Sequence, residues 1–105
     1  MKRSIESIKH DVYGIVLHSP MGLKRGTLTL YCENELFLAD IYLMQHLNHF
    51  TAEITSADKY CFKGNLWALV GDATCTIYAD IKDGNLSAIA HTSKGNMNMD
   101  GQIKR

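Results

Sequence analysis

Two histidines three residues apart, in Gln45-His46-Leu47-Asn48-His49, are the first residues of this sequence whose type and spacing suit chemistry. On a helix they would share a face and could grip a metal ion. On a strand they would point to opposite faces. No cysteine, aspartate or glutamate sits beside them to complete a ligand set, so they read as loop-tip histidines and no metal is expected. His18 and His91 each close an apolar-rich run. If the first and last runs of the chain meet, these two come within reach at one rim, suited to holding an anion or moving a proton. The plain alternative is a pair of solvated rim residues. Asp80 and Asp100 fall inside strand-like runs, where a carboxylate normally faces solvent. One turned inward would need a partner and would become the leading functional acid. There is no glycine-rich phosphate loop, no serine elbow and no paired-carboxylate motif. No catalytic residue is assigned, no cofactor is expected, and an enzyme is the less favoured class.

The cysteines are Cys32, Cys61 and Cys75. An odd number without a CxxC pair is neither a disulfide framework nor a zinc spacing. They read as reduced, half-buried or buried thiols acting as small hydrophobes in a cytoplasmic protein. Aromatic surface comes from Tyr13, Tyr60, Phe62, Trp67 and Tyr78. Rings with one polar end line ligand pockets and also fill ordinary cores. Met97 and Met99 share one face of an alternating run and raise the same question. The candidate ligand-binding set is therefore His18, His91, Trp67, Tyr78, Tyr13, Met97 and Met99.

The elements that must position these residues are short runs broken by turn residues about every ten positions, the pattern of an all-β barrel or sandwich. The runs are 11–19, 26–32, 36–44, 50–55, 59–69, 73–81, 86–91 and 96–103. Ser19-Pro20-Met21-Gly22 places proline and glycine where a type I turn favours them. Asp83-Gly84 is a strong hairpin signal. Gly64 and Asn65 suggest a bulge or bend in the fifth run. Val70-Gly71-Asp72 reads as a turn, and 45–48 fits a helical turn or an irregular strand.

The fold expected is all-β: one antiparallel up-and-down meander of about eight strands, closed or split, with at most a short helical turn near 44–50. It is a single domain over 1–105, with 1–10 as an N-terminal extension. Eight strands suffice to close a small barrel around side chains or one ligand. The hairpins around Glu33-Asn34-Glu35-Leu36 and Asp83-Gly84-Asn85-Leu86 lie about fifty residues apart, which fits either a duplicated four-strand unit or convergent hairpin chemistry.

Of 105 residues 46% are hydrophobic, which suits one modest core. Eleven basic and eleven acidic side chains cancel, which argues against a nucleic-acid or anionic-membrane footprint. A net charge near zero also removes one brake on self-association. The start, Met1-Lys2-Arg3-Ser4-Ile5-Glu6, carries no apolar core of signal-peptide length, and no apolar run approaches a membrane span.

Pro20-Met21-Gly22, Thr27-Leu28-Thr29-Leu30, Phe62-Lys63-Gly64, Asp83-Gly84-Asn85-Leu86 and the stretch from Thr92 to Gly101 resemble a small, little-characterised bacterial β-barrel family with repeated turn-and-strand motifs. Similar segments occur attached to amidohydrolase-like and other enzymes. The resemblance runs from about Val12 to Ile103 and implies a lipocalin-like closed barrel. It carries no catalytic residues. This chain departs from the family cadence at Phe37-Leu38-Ala39, at Ser87-Ala88 and from Tyr42 to Phe50. The function expected is a module that binds an apolar or aromatic small molecule, as a homodimer. The alternatives are an accessory or oligomerisation domain of an enzyme subunit, and a small enzyme using rim histidines or an interior aspartate.

Overall fold

The computed structural model describes residues 10–67 and 72–104. Eight strands follow one another: β1 (His10–Ser19), β2 (Gly22–Glu33), β3 (Leu36–Leu43), β4 (His46–Ser56), β5 (Lys59–Trp67), β6 (Asp72–Lys82), β7 (Asn85–Thr92) and β8 (Gly95–Ile103). Each pairs antiparallel with the next, and the sheet closes as a barrel. Closure runs from Tyr13 opposite Ile103 to His18 opposite Asn98. It removes the two open edges that a meander would otherwise present to other chains.

Turn chemistry sets the register. Gly22 and Gly95 both have positive φ, 106° and 121°, and each closes a two-residue turn. In the first, the Met21 amide donates to Ser19 Oγ, which donates in turn to the Gly22 carbonyl. Thr92, Lys94 and Gly95 repeat that arrangement. Three other hairpins hold both central residues in the left-handed region: Asn34-Glu35, Met44-Gln45 and Asp83-Gly84. That is the conformation whose twist matches paired strands.

The stretch expected to be irregular at 45–48 is thus a tight turn followed by the start of β4. His46 and His49 lie on that strand and not on a loop tip. Met44 and Gln45 disguised the turn, because neither is a residue that favours positive φ. Gly64 is also corrected. β5 runs in unbroken register along β6, and the one irregularity on its other side lies between Ile54 and Ser56. Gly64 instead marks a close approach: a Cβ there would sit 2.8 Å from the His49 carbonyl oxygen. The fifth run was expected to reach residue 69 and the next turn to begin at Val70. Residues 68–71, like 1–9, lie outside the described residues.

Side-chain alternation divides the wall. Tyr13, Ile15, Leu17, Leu28, Leu30, Ile41, Phe50, Phe62, Ile77 and Met99 point inward, each no more than 2% exposed. The outer wall carries Thr27, Thr29, Lys63, Thr76, Asp80, Ser87, Asn96, Asn98 and Asp100. This is the inverse of a lipid-facing barrel, which needs an apolar outer band. Among the described residues no helix is long and apolar enough to cross a membrane.

The two halves also repeat strand for strand. His10 and Lys59, Leu36 and Asn85, and His46 and Gly95 begin matching strands 49 positions apart. That offset superposes buried positions on buried positions, as in Tyr13 with Phe62, Leu28 with Ile77 and Phe50 with Met99.

Candidate functional site

The seven sequence candidates divide by strand parity. Tyr13, Met97 and Met99 are core side chains, 1%, 7% and 0% exposed. His18, Trp67, Tyr78 and His91 lie on the outer wall. Their two groups are separated by the sheet itself, so they do not form one site. The lumen around the inward group is filled by side chains such as Leu17, Leu28, Phe62 and Met99, none of which touches space that a water could enter.

On the outside, one register row crosses four strands: His18 on β1 faces Asn98 on β8, which faces Ile89 on β7, which faces Tyr78 on β6. Tyr78 and Ile89 are large and about half exposed, at 56% and 45%. They form an apolar platform within a polar surround. His18 Nε2 is hydrogen-bonded to Asp100 Oδ2 at 2.9 Å. His91 Nδ1 is hydrogen-bonded to Asn96 Oδ1 at 3.0 Å, and its ring meets Tyr78 edge-on at 5.5 Å between centroids. Each histidine is therefore held by one ring nitrogen, leaving the other unengaged. The two were expected to come within reach of one another. They share this face but stand on strands two apart, His18 opposite Asn98 and His91 opposite Asn96, a lateral separation of about 10 Å at ordinary strand spacing. The aspartates also face outward, Asp100 to His18 and Asp80 to Lys59 at 2.7 Å.

A groove adjoins this face along β1 and β8. Gly14, Val16, Arg25, Asn85, Asp100, Gln102 and Lys104 are among its lining residues. The Lys104 stem lies over Gly14, where a side chain would otherwise stand.

Two further clusters were not expected. On β2 to β4, Asp40 Oδ1 accepts a hydrogen bond from the Tyr31 hydroxyl at 3.1 Å and meets His49 Nδ1 at 2.8 Å. His10 stacks on the other side of Tyr31. Burial, then the bond to Asp40, pushes the Tyr31 phenol above its ordinary range. At the other end of β3 and β4, Tyr42 faces Leu47 across the strands, both about half exposed. Trp67 packs on His46 with ring centroids 3.7 Å apart. Beneath them Asn48 is the buried polar side chain of the described core. Its Nδ2 donates to the Ile41 and His46 carbonyls, and its Oδ1 accepts from the Trp67 amide at 2.9 Å.

Of the thiols, Cys61 and Cys75 are buried. Burial pushes Cys75 up to about 11, which keeps it protonated and unreactive at neutral pH. Among the described residues no three His, Cys, Asp or Glu side chains gather as a metal-holding group.

No family model, no curated protein and no solved structure matches this chain.

Proposed function

We propose that this chain is a non-enzymatic binding module that recognises its target on the outer wall formed by β1, β8, β7 and β6, and not in its lumen. The observation that carries this reading is the contrast in exposure: Met99 and Phe62 inside are sealed, while Tyr78 and Ile89 outside stand about half open among pre-set polar groups. Rigid strands hold that constellation, as a recognition surface requires. Its histidines are paired, His18 with Asp100 and His91 with Asn96, and neither is hydrogen-bonded to a hydroxyl or thiol nucleophile, which favours binding over catalysis. A fragment screen read by backbone amide shifts tests the reading. Shifts clustered at His18, Tyr78, Ile89, His91 and Asn98 are expected, and shifts confined to Tyr13, Met97 and Met99 would overturn it.

A second reading has its own observation. The exposed Tyr42–Leu47 pair and the nearby Trp67 suit docking of a second copy or of an enzyme subunit. Closure of the sheet leaves side-chain contact, not strand addition, as the means of self-association. Sedimentation at rising concentration tests it: a dimer that Leu47→Glu converts to monomer supports the reading, and a monomer throughout removes the homodimer.

A further inference from the structure

We infer that the ligand of the Tyr78–Asn98 face is a saccharide, an inference that rests on the outer-wall reading above. A pyranose offers two kinds of surface: a face of C–H groups and an edge of hydroxyls that both donate and accept. The face on β6, β7, β8 and β1 offers the complement of each. Tyr78 and Ile89 supply an exposed, apolar seat with one aromatic ring. Around it stand short, planar polar side chains, Asn96, Asn98, Asp100, His18 and His91, presented at strand spacing. Amide, carboxylate and imidazole groups between them donate and accept in the plane that adjacent hydroxyls need.

The central residue is the informative one. Asn98 lies between His18 and Ile89 in register, and among the described residues its amide has no protein hydrogen-bond partner. The groups beside it are already fixed, His18 by Asp100 and His91 by Asn96. A free amide flanked by oriented partners is prepared for a ligand that both donates and accepts. The adjoining groove, with Asn85, Gln102, Arg25, Lys104 and the His18-paired Asp100, extends the surface beyond one ring. An oligosaccharide therefore fits the site better than a single sugar, and Arg25 and Lys104, outnumbering the Asp100 carboxylate that His18 already engages, favour a residue carrying a carboxylate.

Other ligand classes fit less well. The face carries no row of cations for a nucleic-acid backbone. A peptide adding as a strand needs an edge, and the barrel is closed. A wholly apolar ligand would leave the Asn98 amide desolvated without a partner.

The test is titration of the full-length protein with a panel of neutral and uronate-containing oligosaccharides, read by amide shifts and by affinity. The expected result is saturable shifts at Tyr78, Ile89, His91 and Asn98. Tyr78→Ala and Asn98→Ala are each expected to weaken binding about tenfold or more while leaving the melting temperature unchanged. Binding that both variants retain in full would overturn the inference. So would a panel that shifts nothing at millimolar concentration while fragments of other chemistry still perturb this face, an outcome that leaves the outer-wall reading standing. Shifts confined to the lumen would remove both.

Discussion

Asn48 and Cys75 show what single residues contribute. Asn48 satisfies three backbone groups, on β3, at the start of β4 and at the end of β5, from inside the wall. Asn48→Ala leaves those groups without partners in a buried place, so a loss of about 1–3 kcal/mol is expected in urea unfolding. Cys75 gives a pH dependence whose sign is fixed. Its thiol titrates near 11 in the folded chain against an ordinary 9.0, so the folded state holds its proton through a window where the unfolded state has lost it. Stability from this group is complete below pH 9 and falls as pH rises to 11, by on the order of 2 kcal/mol. Cys75→Ala is expected to flatten that part of the stability–pH curve relative to the parent, as measured by chemical denaturation from pH 8 to 11. Neither residue was legible in its role. Asn48 occupies an inward position in the stretch whose turn was disguised, and a buried thiol looks like any small hydrophobe in a sequence.

The strands were legible because their boundaries are written in turn residues. Pro20, Gly22, Gly84 and Gly95 punctuate the chain, and Met97 to Gln102 alternates cleanly. The Met44-Gln45 turn carries no such mark, yet both residues sit at positive φ, 50° and 66°. Gln45→Gly relieves that strain, and a gain of about 1 kcal/mol in unfolding free energy is expected. Gly26 makes the opposite case. A Cβ there would collide with the Tyr42 carbonyl oxygen and the Leu43 side chain, because β3 crosses close behind it. Gly26→Ala should cost about 3 kcal/mol, a large share of the stability of a domain this size, with urea midpoints as the readout. Sequence alone marked Gly64 as unusual but read a bulge, since a bulge and a close approach both call for glycine.

At the scale of the whole molecule, the barrel follows from alternation plus closure, and both are consequences of pattern. The site is a different matter. Met97 and Met99 against Asn96 and Asn98 give their faces away by strict alternation. Tyr78 does not, since an aromatic ring beside Ile77 and Ala79 suits either face, and so an outer residue was grouped with core residues. Pairings across strands, such as Asp40 with His49 or His18 with Asp100, need the register and leave no trace in spacing. The register also decides where binding can happen, because it fills the inside with Leu17, Phe62 and Met99 and leaves Tyr78 and Ile89 outside. Xenon tests this most directly, since dry apolar cavities admit it and packed cores do not. With methyl-labelled methionine under xenon pressure, the Met97 and Met99 signals are predicted to show no saturable shift. A saturable shift at Met99 would reveal an open lumen and contradict the account.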